Sequence, residues 1–187
     1  MKIQKWKQIL NIAWPLIIAN SFWNLQLIID RMFLGINSTE SLGAAMAVMS
    51  IFWVPMALLQ QTASYVTTFV AQFYGAKEFD KIGKSLWQAI YSSLFGGLVF
   101  LLLIFSSEFL FKFINHSAIL QSLEVSYFNS LTFSALPTAL VAAMSGFFTG
   151  LGKTRVVIGI NLTGLLFNAL LDYLLIFGNW GFPNLGI

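Results

Sequence analysis

Two acidic residues lie inside long apolar segments of this 187-residue chain, and an amide accompanies the second of them. Asp30 belongs to the first apolar segment, whereas Asn168 and Asp172 belong to the last, four positions apart. Four residues make about one helical turn, so Asn168 and Asp172 share a face. A carboxylate within a membrane helix costs about 2.5–3.5 kcal/mol and by default faces a protein interior or a water-filled cavity. We therefore expect these three residues to bind a cation or a proton.

The composition indicates a membrane protein. Hydrophobic residues make up 58% of the chain and charged residues 9%, whereas a soluble domain carries about 25% charged residues. The chain has no cysteine, which excludes disulfides and thiolate metal sites. It also lacks a long basic run, so we expect no nucleic-acid partner. A chain of this composition requires a lipid bilayer around it.

Five apolar segments are long enough to cross a hydrocarbon core of about 30 Å. Lipid offers no partners to backbone groups, and no segment alternates like a membrane strand, so we expect helices. The chain is thus predicted to be an all-α polytopic membrane protein. The predicted helices cover approximately residues 9–34, 42–74, 85–105, 127–151 and 156–177.

The basic residues alternate between the two ends of these segments. Lys and Arg occur before the first segment, between the second and third, and between the fourth and fifth. The first loop and residues 178–187 carry none, and residues 106–126 carry Lys112 alone. By the positive-inside rule, the N-terminus is cytoplasmic and the end of the fifth helix is outside. Asp30 and Asp172 then both lie roughly 8–9 Å inside the outer edge, a shared depth that permits a shared site.

Other polar residues and the prolines give weaker indications of function. A polar stripe in the second segment favours equally a cavity wall and helix packing through small and hydroxyl side chains. Pro55 and Pro137 are expected to kink their helices. The possible cavity-lining residues are Gln26, Gln60, Gln61, Ser64, Thr68 and Asn161.

Two features suggest sites at first sight. Residues 150–154 partly match a phosphate-binding loop, but Phe147 stands where that loop requires glycine, and a helix precedes it. We therefore interpret residues 150–154 as a cytoplasmic turn. His116 is expected to be a solvated residue of an outer loop, and neither a metal ligand nor a pH sensor.

Three stretches resemble one transporter family. The first is Pro15 followed by Asp30 and Gly35, the second is residues 69–76, and the third runs from residues 148–155 through Asn161 to residues 167–178. In order and spacing the whole chain is similar to the N-terminal lobe of multidrug and toxic compound extrusion (MATE) transporters.

The resemblance implies a fold and a function. Such a lobe has six helices and pairs with a second lobe around a central cavity. The family exports organic cations and other amphipathic compounds in exchange for H⁺ or Na⁺, with no further cofactor. Asp30, Asn168 and Asp172 would correspond to the cation-binding cluster, which would be the place of any bound Na⁺. We expect a multi-pass protein of a prokaryotic cytoplasmic membrane.

The sequence ends at Ile187, where the family would begin its sixth helix. Residues 1–187 are therefore expected to form a partial N-terminal lobe, as a fragment or as half of a split transporter, with the second lobe as the missing partner. Two other functions stay open. A lipid or lipid-linked sugar flippase would place basic residues in its cavity, and here Arg31 is the only one in a predicted segment. An inert truncated membrane fragment is the other. An enzyme is not expected, since no nucleophile–base or metal constellation appears.

Overall fold

The computed structural model describes residues 2–114 and 116–177, and every regular element among them is helical. The predicted outer stretch 178–187 lies outside the described residues. The helices are α1 (Lys2–Asn37), α2 (Thr39–Ser64), α3 (Val66–Gly75), α4 (Phe79–Leu102), a 3₁₀ turn (Leu103–Ser106), α5 (Ser107–Ile114), α6 (Ala118–Gly150) and α7 (Thr154–Phe177).

Five helical stretches are long and apolar enough to cross a membrane, which confirms the predicted fold class. They are Ile9–Ile36, Thr39–Gly75, Phe79–Ile114, Ala118–Gly150 and Thr154–Phe177. The shortest has 24 residues and is therefore about 36 Å long. Large apolar side chains such as Phe95 and Phe105 remain exposed on the outside of the bundle, as lipid contact requires. The chain is a multi-pass membrane protein.

Several predicted helix bounds were too narrow. The fourth segment was expected to begin at Tyr127, but α6 begins at Ala118, where Ser117 caps it through a hydroxyl that accepts from the backbone N–H of Leu120. The third was expected to begin at Ser85, whereas α4 begins at Phe79. Hydropathy identifies the part of a helix that lies in lipid. The helix continues beyond that part when a cap or a packed neighbour supplies hydrogen-bond partners for its terminal backbone groups.

The second span is interrupted at Tyr65, beyond Pro55, and the kink expected at Pro55 stays a prediction. Helix α2 continues through Pro55 and ends at Ser64. The hydroxyl of Thr67 lies 2.8 Å from the Ser64 carbonyl oxygen and 3.0 Å from that of Gly146 in α6. This hydroxyl therefore supplies a donor at the helix break and joins it to a neighbouring helix.

The turn between α6 and α7 is stabilised by backbone hydrogen bonds. Gly152 has a φ of 72°, in the left-handed region that glycine adopts without strain. The N–H of Lys153 donates to the Phe148 carbonyl at 2.8 Å, and the N–H of Gly152 donates to Thr149 at 2.9 Å. These bonds form a Schellman motif, which fits the turn expected at residues 150–154.

Helix α6 is central to the bundle and packs against α2, α3, α4, α5 and α7. Its Phe128 ring makes edge contacts with Phe52 of α2 and Phe111 of α5, at centroid distances of 5.9 and 5.5 Å. Helix α1 packs along α7 and also reaches α2. The α1–α7 pair therefore lies beside the α2–α6 pair, and the candidate site lies between the two pairs.

Candidate functional site

A cavity of about 450 Å³ separates the α1–α7 pair from α2 and α6. Its walls are partly aliphatic, but polar groups face it from three of the four helices. The polar lining residues are Gln26 and Asp30 of α1, Tyr127, Ser130, Ser134 and Thr138 of α6, and Asn168 and Asp172 of α7.

The structure brings the three predicted cation-site residues together on this cavity. Asp30 and Asp172 are both half-buried, and their carboxyl groups are close enough to interact directly. Within the described part of the chain, the Oδ1 atoms of Asp30 and Asn168 are buried and accept no hydrogen bond. An unsatisfied buried acceptor costs about 1–3 kcal/mol, and a proton or a metal cation placed between such oxygens would remove that cost.

Apolar packing closes the cavity at one end. Leu34, Ala45 and Ile176 form a small buried cluster from α1, α2 and α7. The rings of Phe33 and Phe177 meet beside it at 5.6 Å. The acids lie within the last two turns of α1 and α7 before this cluster, so it limits access to them from the end predicted to be outside.

The hydroxyl stripe of α6 was not predicted. The hydroxyls of Ser130, Ser134 and Thr138 donate to carbonyls of their own helix at 3.0, 2.7 and 2.7 Å. Their hydrogens are thus used within α6, while each oxygen keeps acceptor capacity towards the cavity. Positions 127, 130, 134 and 138 recur at helical spacing, so their periodicity could have indicated this wall.

The proposed lining residues have different surroundings. Gln26 lines the cavity with the acids, whereas Gln61 lines a separate groove of about 520 Å³ between α2–α3 and α4. Gln60, Ser64 and Thr68 line neither of these two spaces, and the Ser64 hydroxyl donates to the Gln61 carbonyl.

Asn161 also has a packing role and does not line the cavity. Its amide nitrogen donates to the Ala19 carbonyl at 3.0 Å and so joins α7 to α1.

His116 is not simply solvated, which corrects the expectation for it. Its Nδ1 atom lies 2.6 Å from Oε1 of Glu124, and the Glu124 side chain is fully buried. His116 does lie in the connection between α5 and α6, as the sequence predicts. The carboxylate beside it belongs to α6 and has no exposed surface.

Comparisons with known proteins agree with this architecture. The family model MatE matches residues 15–174. The chain is 33% identical to "Probable multidrug resistance protein NorM" of Bacillus licheniformis, over 98% of this chain and 41% of that protein. It is 29% identical to the protein of the same name in Bacillus subtilis, again over 98% and 41% of the two chains. The chain therefore spans about two fifths of the length of these relatives.

A solved structure has the same fold. It is a MOP superfamily transporter from Pyrococcus furiosus, a protein whose binding pocket has a reversed polarity that suggests a different function for it. It superposes with a TM-score of 0.85 at 20% identity, over 94% of this chain and 39% of that one.

The family match covers the three central membrane-spanning stretches completely and most of the first and the last, including Asp30, Asn168 and Asp172. The chain accordingly belongs to the MATE family, whose members are transporters and not enzymes.

Proposed function

We propose that this chain forms the cation-binding lobe of an antiporter that exports drugs or other amphipathic organic compounds in exchange for H⁺ or Na⁺. One observation carries the proposal. Asp30, Asn168 and Asp172 face one cavity inside the membrane-spanning bundle, and two of their oxygens are buried without a partner among the described residues.

Electrostatics makes this cavity suitable for a cation. Two carboxylates close together in a medium of low dielectric constant repel strongly, so the doubly charged state is costly. A proton shared between Asp30 and Asp172 would remove one of the two negative charges. A bound Na⁺ ion would instead leave both carboxylates charged and compensate for one of the charges. The amide oxygen of Asn168 would add a neutral ligand on the same side, one turn from Asp172.

Coupling to export would follow from where the acids lie. Asp30 belongs to α1 and Asp172 to α7, so a cation that bridges them favours the arrangement in which these helices approach. An organic cation in the same cavity would compete for the same negative charge. Binding of H⁺ or Na⁺ would therefore release it, because a ligand shifts an equilibrium by its differential affinity for the two states. Alternating access needs a second bundle, and we propose a second lobe as the partner of this chain.

Ligand displacement by the purified chain tests the proposal. The chain in detergent micelles is titrated with ethidium, a planar organic cation whose fluorescence changes on binding. We expect ethidium to bind at alkaline pH without Na⁺, and to be released by acidification or by NaCl but not by choline chloride. Asp30→Asn and Asp172→Asn should each lose the cation-induced release, while the helical circular dichroism stays unchanged.

Asp80→Asn is the matched control, since Asp80 is an exposed acid in the first turn of α4. It should behave like the parent chain. Cation-induced release that persists in both cavity variants would remove the acids from the mechanism. A complete absence of ethidium binding would instead favour the inert-fragment interpretation. The flippase alternative has less support, because none of the residues that line this cavity is Lys, Arg or His.

A further inference from the structure

A groove lined by polar side chains lies apart from the cavity that holds the acids. It runs between α2–α3 and α4 and has a volume of about 520 Å³. Its polar lining residues are Gln61, Thr62, Ser85, Gln88 and Ser92, and none of the residues that line it is acidic. Because the groove offers no negative charge, it lacks the feature that would attract an organic cation to the acid cavity.

Contacts between the helices define the two ends of this groove. A Cβ atom added at Gly96 of α4 would collide with the side chain of Leu59 in α2, so the helices touch at the end predicted to be nearer the outside. At the other end, the ammonium group of Lys81 in α4 lies 5.5 Å from the centroid of the Phe73 ring in α3. Between these contacts the helices leave the groove, which is lined at its base by buried Val66.

One face of α4 carries a basic residue followed by polar ones. Lys81, Ser85, Gln88 and Ser92 are spaced by four, three and four residues, so they follow a single stripe of the helix. The last three line the groove. This stripe therefore leads from a positive charge at the end of the groove to uncharged polar groups deeper in the membrane-spanning stretch.

The amides supply the free hydrogen-bond donors of the groove. The hydroxyls of Thr62 and Ser85 donate to carbonyls of their own helices, at 2.7 and 3.0 Å. Their hydrogens are thus used within the helices. The side-chain NH₂ groups of Gln61 and Gln88 can donate to a carbonyl oxygen of a bound molecule.

Positive charge predominates at the end of the groove near Lys81. Among the described residues, exposed Lys77 and Lys84 form no ion pair, whereas Lys81 pairs with Glu78 at 2.9 Å. Both partners of that pair are about half exposed, so water screens it and it contributes little stability. Asp80 is the other acid of this stretch. Three lysines therefore face two acids here, and an anion can share Lys81 at small cost.

Trp87 indicates the depth of the polar stripe in the membrane. Its exposed ring lies 5.7 Å, centroid to centroid, from that of exposed Tyr91. Exposed Trp and Tyr side chains are enriched where the hydrocarbon meets the lipid headgroups. Lys84 lies about 6 Å further along α4 than Gln88 towards the predicted cytoplasmic side. The lysine is thus at the level of lipid phosphates, and the glutamine is at the level of the ester groups below them.

We propose that this groove binds one anionic phospholipid from the leaflet predicted to be cytoplasmic. The phosphate contacts Lys81 and Lys84, and an ester carbonyl accepts a hydrogen bond from the Gln88 amide. An acyl chain lies along the exposed rings of Tyr65 and Phe69, which line the groove. Anionic lipids are attracted to basic residues at this edge of a membrane protein, and an amphipathic anion meets the charge, the donors and the apolar surface together.

Native mass spectrometry of the purified chain tests this site. The chain in detergent micelles is mixed with equal amounts of dioleoylphosphatidylglycerol and dioleoylphosphatidylcholine, which share acyl chains and differ in headgroup charge. We expect one phosphatidylglycerol per chain to be retained, severalfold more often than phosphatidylcholine. Lys81→Gln/Lys84→Gln should abolish this preference while the helical circular dichroism stays unchanged. Equal retention of the two lipids by the parent chain would overturn the proposal.

Lys153→Gln/Arg155→Gln is the matched control for charge. It removes two exposed positive charges from the turn between α6 and α7, which does not line the groove, and it should keep the preference. Ser92→Trp is the steric counterpart, because it places a large ring in the groove without removing a charge, and it should reduce the retention of phosphatidylglycerol severalfold. A loss of preference in the control, or undiminished retention with Ser92→Trp, would place the lipid elsewhere.

Competition separates the lipid from other occupants of the groove. Neither glycerol 3-phosphate, which has the charge without an acyl chain, nor ethidium should displace phosphatidylglycerol. Displacement by either compound would overturn the proposal in favour of a soluble anion or an organic cation. A mass of two chains that Ser92→Trp abolishes would instead assign the groove to a second copy.

The lipid site is separate from the proposed transport function, since it uses neither Asp30 nor Asp172. Asp30→Asn/Asp172→Asn should therefore leave the retention of phosphatidylglycerol unchanged. Failure of the lipid measurement would leave the cation-induced release of ethidium as it is, and the reverse also holds. A loss of lipid retention in Asp30→Asn/Asp172→Asn would contradict the placement of the lipid in this groove.

Discussion

Asp172 and Asn168 lie one turn apart in α7 and differ in whether the side chain can ionise. Asp172 can carry a charge or a proton, whereas Asn168 cannot ionise and keeps both a donor and an acceptor. The buried Asn168 Oδ1 has no partner among the described residues. A bound cation would be stabilised by this neutral oxygen, whereas an aspartate here would bury a third negative charge. This difference would explain why an amide occupies the position.

Asn168→Leu should therefore weaken cation binding while keeping the branched shape of the side chain, because both side chains branch at Cγ into two heavy atoms. A hydrogen bond or ligand contact to a charged group contributes about 1.5–3 kcal/mol. We expect the H⁺ or Na⁺ concentration that releases half of the ethidium to rise roughly tenfold or more. Asn24→Leu, at an exposed amide on α1, should leave that concentration unchanged. Equal shifts in the two variants would mean that Asn168 has no specific contact with the cation.

Helices α3 and α6 approach closely because glycine lies at the crossing. A Cβ atom built on Gly150 would lie 2.7 Å from the Thr67 carbonyl oxygen and 2.8 Å from Cβ of Val70. Gly146 has the same relation to Ser64 and Thr67, with contacts of 2.8 and 2.9 Å. Backbone atoms cannot move aside as a flexible side chain can, so these glycines hold α6 against the break in the second span.

Gly150→Ala should destabilise the chain by about 1–3 kcal/mol, the usual cost of overpacking a tight contact. Gly159→Ala is the matched control in α7, because a Cβ atom there meets nothing within 4 Å. The control should be neutral or stabilising by up to about 1 kcal/mol, since alanine favours the helix. Urea or dodecyl sulfate unfolding, followed by circular dichroism in mixed micelles, gives both values. Equal stabilities of the two variants would contradict the close approach.

Some features of these helices were accessible from the sequence and others were not. Hydropathy identified five spans because the bilayer imposes a length on each of them. The interruption at Tyr65 was missed, since the Thr67 hydroxyl beside it bonds to a different helix, a contact that no local sequence pattern shows. The pairing of His116 with Glu124 was missed for a similar reason: a linear pattern does not show which side chains of α6 are covered by other parts of the chain.

The arrangement of charge over the whole chain predicts its orientation in the membrane. Lys77, Lys81 and Lys84 lie between the second and third spans, whereas the loop between the first two spans has no basic residue. The ends of α1 and α7 that carry the acids would then face outside, with the hydroxyl wall of α6 extending inwards from them. The acids would then lie nearer to the outer face than to the inner one, behind the apolar cluster of Leu34, Ala45 and Ile176.

Single cysteines test this orientation in intact cells, since the natural chain has none. Ser122→Cys, at the start of α6, should react with a membrane-impermeant maleimide added outside. Gly83→Cys, at the start of α4, should react only after the membrane is permeabilised. Both positions are exposed in the structure, so burial does not limit either reaction. The reverse pattern would invert the topology and place the acid pair near the cytoplasmic side.

The amino-acid sequence alone established that this is a helical membrane chain, and it selected Asp30, Asn168 and Asp172 as the groups worth attention. Length, hydropathy and the cost of an acid in lipid are properties of each segment taken separately. Packing decided the rest: the acids meet on one cavity, Asn161 joins two helices instead of lining that space, and Glu124 is enclosed beside His116. These outcomes depend on which helices become neighbours, and in this bundle that depends on small residues and hydroxyls whose partners are distant along the chain.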